Sequence, residues 1–497
     1  MSILHQSAAR RAITALRLPR RARPIPSPPV PSNARRLTRI VAEQLLSRAS
    51  GAAAVDGNAI DLLRDGTQNY PAWLDAIAAA QHSVDFENYI VRDDETGRQF
   101  AAALMERARA GVLVRVLYDW LGCIRTPRRF WQDLRNAGAE VLCFNPFRLD
   151  SPLGWISRNH RKTLRCDDTG FVAGLCVGDA WTGTPIQQAW RDTGIRLRGP
   201  AVHDLAAAFA HSWARAGGEV RPGDLTTPGV AGDIAVRVIN SRPNTMGLYR
   251  FDQLVAGIAR ETLWLTDAYF VGTTAYVQAL CDAARDSVDV RLLVPGSSDI
   301  PVAQALSRAG YRPLLEAGCR VFEWNGPMLH AKTAVADGRW ARIGSTNLNI
   351  ASWMGNWELD VAIEDEGFAS QLAAMFERDL QDATEIVIEP GTKGILGGGK
   401  IGAPDRPRDG LPLRRGSPGR LTAGAVGLGS TVTAAITNHR ALGPAEARVT
   451  AAGGVALLVL AAIAMLTPRL IAFPLGVLAA WFAGTLLVRA WRLRRSC

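Results

Sequence analysis

One short pattern occurs twice in this chain, and the repetition limits the fold more than any other feature. The segments His160-Arg-Lys-Thr-Leu-Arg-Cys-Asp167 and His330-Ala-Lys-Thr-Ala-Val-Ala-Asp337 both read H-x-K-x4-D. Their surroundings repeat as well. Ser83-Val-Asp-Phe-Glu-Asn-Tyr-Ile-Val91 is answered by Thr262-Leu-Trp-Leu-Thr-Asp-Ala-Tyr-Phe-Val271. Alanine-rich helical stretches follow at 97–110 and 274–285, then apolar strand segments at 112–118 and 288–294. In each half a further helix leads to a last strand, at 139–145 or 319–325, just before the motif. Alternating strands and helices imply an α/β fold, and the repeat implies two similar α/β domains, expected over 51–230 and 231–390. Residues 36–49 read as a helix leading in, and Asp61–Gly66 as a strand running into a turn.

Side chains two residues apart on a strand share a face, so each motif sets an imidazole beside an ammonium. The chain has four lysines in all, and two of them are Lys162 and Lys332. Nearly every other basic side chain is arginine, which points to a chemical need for lysine at these positions. A phosphodiester resists attack because its anionic oxygens repel nucleophiles and its alkoxide leaves poorly. Two histidines meet both difficulties, one attacking phosphorus and one protonating the departing alkoxide. Lysines beside them neutralise the phosphoryl oxygens. This chemistry calls for no metal and no cofactor. After the second motif comes Gly344-Ser-Thr-Asn347, whereas the first half offers Ala173-Gly-Leu-Cys-Val177. In ungapped register Val177 takes the asparagine's place; if the preceding turn is one residue shorter, Cys176 does. Further on, Asp192 in W-R-D-T and Glu358 in N-W-E-L-D recur in parallel.

On these residues the chain resembles the phospholipase D superfamily, and within it the bacterial cardiolipin synthases, over about residues 61–389. Residues 190–202 (W-R-D-T-G-I-R-L-R-G-P-A-V) and the F-x-x-x-W at Phe209 to Trp213 are similar to that branch. The resemblance implies two halves facing each other across a pseudo-two-fold axis. It implies a catalytic set of His160, Lys162, Asp167, His330, Lys332 and Asp337, with the lean towards His160 as nucleophile. Asp167 and Asp337 fall seven residues after their histidines, a spacing that suits structural contacts at the strand end. Ser345 and Asn347 are implied as phosphate contacts, and Asp192 and Glu358 as pocket acids that orient the histidines. The implied reaction moves a phosphatidyl group from one phosphatidylglycerol to a second, giving cardiolipin and glycerol through a phosphohistidine. Hydrolysis, another acceptor alcohol, and a nuclease using the same residues are the rival readings, with a binding role for a decayed enzyme disfavoured by both intact His/Lys pairs.

Charge bears on the partner. Residues 1–40 hold nine arginines and no acid, and residues 391–497 hold fourteen basic against three acidic residues. The body between them is acidic, with 34 basic and 43 acidic residues. A nucleic-acid enzyme places its basic surplus on the folded body; here it lies at the ends, suited to anionic lipid. Residues 1–50 are expected as a basic arm and helix, and 391–448 as a Gly/Arg/Pro-rich linker. Two uncharged nineteen-residue stretches follow, Val449 to Thr467 and Leu470 to Val488, split by Pro468-Arg469. At about 1.5 Å per residue each is long enough to reach across a hydrocarbon core, so a transmembrane hairpin is expected over 449–497, with flanking arginines putting both ends in the cytoplasm; a re-entrant or interfacial hairpin is the alternative. The expected location is therefore the cytoplasmic face of a bacterial inner membrane, with phospholipid and membrane as partners and no nucleic acid. An apolar insert in the first half, Pro146 to Asn159, either dips into the bilayer or packs on its own domain. Seven scattered cysteines without a C-x-x-C pair suit reduced thiols.

Overall fold

The computed structural model describes residues 32–147, 156–388 and 395–397, with single helical positions between Val455 and Gly484. The N-terminal arm up to residue 31, the middle of the Pro146–Asn159 insert, and most of the linker and hairpin segments lie outside the described residues. Among the described residues no helix is long and apolar enough to cross a membrane. Two units are distinguished, residues 1–45 and residues 46–497. The described part of the first belongs to helix α1 (Ser32–Ser50). The second holds the repeat.

Its first half runs β1 (Val55–Arg64), α2 (Asp65–Ala79), β2 (Ser83–Asn88), α3 (Glu95–Arg109), β3 (Leu113–Asp119), α4 (Arg128–Asn136), β4 (Glu140–Phe144), β5 (Lys162–Cys166), β6 (Thr169–Ala173), β7 (Thr193–Arg198) and α5 (Val202–Arg215). The second half runs β8 (Ile234–Ser241), α6 (Gly247–Ile258), β9 (Thr262–Thr266), α7 (Thr274–Arg285), β10 (Asp289–Pro295), α8 (Pro301–Ala309), α9 (Tyr311–Glu316), β11 (Arg320–Trp324), β12 (Thr333–Ala336), β13 (Trp340–Gly344), β14 (Glu358–Glu364) and α10 (Glu366–Gln381). Two edge strands close it, β15 (Ala383–Ile388) and β16 (Ile395–Gly397). The boundary expected at 230/231 falls in the connection from α5 to β8. Strand β16 stands where a linker was expected, because its backbone extends the sheet edge by pairing with Ile386 to Ile388.

Strand order shows the symmetry. Outward from the antiparallel pair β1–β8, the order is β7, β6, β5, β2, β3, β4 on one side and β14, β13, β12, β9, β10, β11 on the other. Each strand faces its own counterpart across that pair. The segment Asp61–Gly66 differs from the turn expected there. The strand starts at Val55, and Asp65, at φ +53°, passes the chain straight into α2. That helix forms because Tyr70, Trp73 and Ile77 line one face at helical spacing. They pack with Phe100 and Leu104 of α3 on Val84, Phe86, Val114 and Val116. Trp73 is fully buried, and its truncation to alanine would cost about 3–5 kcal/mol. The second half repeats this core with Phe251, Val255, Tyr276 and Leu280 over Leu263 and Leu292. A central core joins the halves, built from Ile195, Leu197, Val238, Ile343 and Val361 with Leu205 of α5 and Leu372 of α10.

Strands β2, β3 and β4 are parallel, as are β9, β10 and β11. Strands β5 and β12 run antiparallel to β2 and β9. Each motif strand therefore starts at the end of its own half where that half's parallel strands finish.

Candidate active site

Each motif begins one turn of chain before its strand, and a parallel bridge to the other half holds it there. His160 N donates to the Trp357 carbonyl (2.9 Å) and Trp357 N to that of Arg158 (2.8 Å). In the mirror position His330 N donates to the Arg191 carbonyl (2.7 Å) and Arg191 N to that of Met328 (2.9 Å). The residue after each bridging tryptophan or arginine is an acid, so each acid is delivered to the opposite half's histidine. His160 Nδ1 bonds Glu358 Oε2 at 2.9 Å. His330 Nδ1 bonds Asp192 Oδ2 at 2.8 Å. With Nδ1 donating to a carboxylate, each ring leaves Nε2 as a lone pair. The site is thus crossed. Neither half can orient its own histidine.

Both lysines donate from Nζ to the carbonyl of the histidine two residues before them. Lys162 lies 5.1 Å from the centre of the Tyr89 ring, and Lys332 lies 5.9 Å from that of Tyr269. The same tyrosines flank the histidines, at 4.8 Å for Tyr89 and His160 and 5.9 Å for Tyr269 and His330. Trp181 and Trp190 close on His330 at 5.6 and 5.7 Å.

All four motif cations and rings are buried, and burial dominates their protonation. It pushes His160 down, with Glu358 opposing and Lys162 adding to the fall. It pushes His330 down to about 3, with Lys332 adding and Asp192 opposing. Burial also lowers Lys162, and lowers Lys332 to about 8. Burial alone would raise both acids, but His330 and Lys332 hold Asp192 below the usual range, and His160 and Lys162 do the same for Glu358. Lys162 acts on His330 and Lys332 on His160, so the two motifs share one electrostatic site. Burial pushes the imidazoles towards the neutral form, the carboxylates are held ionised, and two lysines stand beside them, a pattern suited to an anion. Among the described residues no group of His, Cys, Asp and Glu is arranged to hold a metal ion.

The structure places the remaining sequence-nominated residues as follows. Ser345 Oγ donates to Glu358 Oε2 at 2.6 Å, while Leu359 N donates to Ser345 Oγ at 3.0 Å. Ser345 therefore supports the acid. Asn347 is buried in the same segment, and among the described residues its Oδ1 has no partner. Asp192 and Glu358 partner the histidines and not the substrate, because their oxygens are taken by Nδ1 and by donors behind it. Asp167 and Asp337, named in the implied catalytic set, make contacts at the strand end, as their spacing suits. Each sits at the far end of its motif strand, in a turn with φ of +48° or +51°. Asp167 accepts backbone amides of Gln81, His82 and Ser83 at 2.8–3.0 Å. Asp337 accepts those of Arg260, Glu261 and Thr262. Both tie a turn to the start of the neighbouring strand, β2 or β9, and neither bonds a motif histidine.

Strand register also decides which residue faces Asn347 across the pseudo-axis. Thr163 pairs with Val172 and Thr333 with Ile343, which sets Gly174 opposite Ser345 and Cys176 opposite Asn347. The turn is one residue shorter in the first half. A Cβ on Gly174 would meet Asp192 Oδ1 at 2.1 Å, so a serine has no room there. Trp181 Nε1 (3.0 Å) and Thr193 N (2.8 Å) hold Asp192 instead. Trp181, Trp190 and the paired tyrosines were not singled out from sequence. Tyr89 and Tyr269 lie inside the repeated segments, which was the available signal; the tryptophans have no counterpart in the other half and gave none.

Comparison with known proteins agrees with this geometry. A family model described as "Cardiolipin synthase, PLD-like domain" matches residues 256–380. The cardiolipin synthase of Halalkalibacterium halodurans is 34% identical over 338 residues, 66% of this chain and 67% of that one. Cardiolipin synthase A of Pseudomonas fluorescens is 35% identical over 341 residues, 66% of this chain and 70% of that one. Among solved structures, the phosphatidylserine synthase of Haemophilus influenzae aligns with a TM-score of 0.56 at 15% identity, covering 69% of this chain and 92% of that one. That likeness is one of fold.

Proposed function

The chain belongs to the cardiolipin synthase family and is a phosphatidyltransferase of the phospholipase D type, and from that premise we propose that it joins two phosphatidylglycerol molecules through a phosphohistidine. The crossed pairing of His160 with Glu358 and His330 with Asp192 carries the reading. It sets up two imidazoles with free Nε2 atoms in one cleft, the requirement for a two-step displacement.

The phosphodiester anion settles between Lys162 and Lys332, and its charge favours one proton on one imidazole. His160 Nε2 attacks phosphorus, and the protonated His330 gives its proton to the glycerol oxygen as the P–O bond breaks. Glycerol leaves. The hydroxyl of a second phosphatidylglycerol then loses its proton to His330 and attacks phosphorus, the P–N bond breaks, and cardiolipin forms with both histidines restored. Asp192 stabilises the imidazolium at His330, as Glu358 does at His160, in the manner of a triad acid. The lysines neutralise the phosphoryl oxygens in both transition states.

The same proposal places the enzyme on the cytoplasmic face of a bacterial inner membrane, held by the apolar segments of 449–497. Exposed Ile124, Ile156 and Ile186 lie on connections, and Val302 in the first turn of α8, at the strand ends where each half's motif begins, which suits contact with lipid. The acidic body suits a lipid surface better than a polyanion such as nucleic acid.

The test is protein in phosphatidylglycerol vesicles with labelled lipid and chelator present, beside His160→Ala and His330→Ala. Cardiolipin and free glycerol, lost in both variants, is the expected result. Phosphatidic acid alone would replace transfer by hydrolysis. Acid-labile phosphate trapped on His330 instead of His160 would reverse the roles of the two histidines.

A further inference from the structure

Only the second half keeps an amide at the position after its motif. Asn347 has Cys176 as its counterpart, and burial pushes that thiol up, so it stays neutral and offers phosphate at most a weak S–H donor. The first half has lost a phosphate donor, and another amide lies beside the gap.

Asn88 is the last residue of β2 and pairs directly with Lys162 of β5. Side chains along β2 alternate, and Val84 and Phe86 enter the same core as Leu164 and Cys166 of β5. Asn88 and Lys162 continue those two rows, so they lie side by side on one face at the end where His160 begins. Asn88 is 1% exposed, and among the described residues neither its Oδ1 nor its Nδ2 has a hydrogen-bond partner. Buried side-chain amides are nearly always satisfied in a folded protein. The counterpart residue in the second half shows what a structural role would look like. Val84 pairs with Cys166, and Leu263 with Ala336, each just before its motif aspartate, which makes Asp267 the counterpart of Asn88. Both Asp267 oxygens are engaged, accepting from Leu348 N at 2.8 Å and Tyr269 N at 3.1 Å. Asn88 holds nothing of the kind. Being neutral, it adds no negative charge beside Lys162, where a carboxylate would repel the anion.

We propose that Asn88 is a substrate-binding residue whose Nδ2 donates to a phosphoryl oxygen on the Lys162 side, supplying the amide that Cys176 does not, opposite Asn347. The assignment rests on the phosphatidyl-transfer reading above. It gives the two halves equal numbers of amide donors by different residues, one after the motif and one from the neighbouring strand.

Asn88→Leu keeps the volume and removes the amide. In phosphatidylglycerol vesicles its kcat/KM should fall by about 100-fold, the scale of losing one preorganised donor. Its Tm should stay level or rise, because two unpartnered polar atoms leave an apolar core. Asn88→Asp should lose more activity than Asn88→Leu. Cys176→Asn added to Asn88→Leu should recover at least tenfold. Asn88→Ala, which cannot overfill the site, is measured in parallel should the leucine variant not fold. Activity within threefold of wild type, a fall in Tm that tracks the lost activity, or no recovery by Cys176→Asn would each overturn the proposal. A wild-type protein that forms no cardiolipin would instead sink the transfer reading, before any variant is considered.

Discussion

Changing Glu358 to glutamine tests the crossed site most directly. The carboxylate is fully buried and bonds His160 Nδ1 at 2.9 Å, with Ser345 Oγ at 2.6 Å on the same oxygen. Glutamine fits the same space and can still present an oxygen to Nδ1–H. What it removes is the negative charge facing the imidazolium that forms at His160. At about 4 Å and an effective dielectric of about 20, that attraction is about 4 kcal/mol. The retained neutral hydrogen bond offsets about 1 kcal/mol. The barrier should therefore rise by about 2–4 kcal/mol, a fall in kcat of about 30- to 900-fold at 1.36 kcal/mol per decade. KM should move little, because Glu358 touches the histidine and not the lipid. Initial rates on phosphatidylglycerol vesicles give both constants. The sharper readout is a cycle with His160→Ala. Adding Glu358→Gln to that variant should change the residual rate by less than about threefold, because the acid has no ring left to act on. Independent losses in the double variant, or a single variant within twofold of wild type, would refute an acid that works through His160.

Burial brings Lys332 down to about 8, so its ammonium is lost as pH rises through that value, and with it the charge that receives the phosphodiester. On a pH profile kcat/KM should decline above about pH 8, and kcat at higher pH, since the bound anion stabilises the ammonium; a flat kcat/KM from pH 7 to 9.5 would contradict this. Gly174→Ser would restore the pattern seen at Ser345, yet its Cβ meets Asp192 Oδ1 at 2.1 Å. Steady-state assays should show activity falling by at least about 100-fold, as expected for displacing the acid behind His330. Asp167→Ala removes the carboxylate that accepts three backbone amides, from a turn at φ +48°, and should lower stability by about 1–3 kcal/mol in urea titration, with kcat per folded enzyme unchanged. Asp167→Asn, which tolerates that backbone and still accepts, should recover most of the loss.

The halves were legible because a repeat is a statement about residues in order. His160 with Lys162, and His330 with Lys332, read directly as two faces of chemistry, and α7 begins and ends at the residues its alanine-rich pattern marks. Helix α2 is not legible in the same way, since Asp65 and Gly66 look like a turn until Tyr70, Trp73 and Ile77 find a core to enter. The pairing of acids with histidines was hidden for a deeper reason. Asp192 lies 138 residues from His330 and Glu358 lies 198 from His160, and the bridges at Trp357 and Arg191, with the core shared by the halves, turn those separations into contacts. Sequence showed that both acids recur; it held nothing to say that each serves the opposite half.

The missing serine and asparagine of the first half look like loss when the motif is read as a string. Strand register shows a substitution of parts. Asp192 is one methylene shorter than Glu358, and its oxygen fills the space a Gly174 side chain would need. Trp181 reaches in from beyond β6 to donate where Ser345 donates in the other half. The first half differs at three positions together: glycine stands where the second half has serine, aspartate where it has glutamate, and a loop supplies an indole. Each change alone would damage the site, since serine clashes with Asp192 and glycine beside a glutamate leaves an oxygen unsupported. The two halves have therefore kept the same function for a buried carboxylate while exchanging the atoms that hold it, and symmetry of chemistry has outlasted symmetry of sequence.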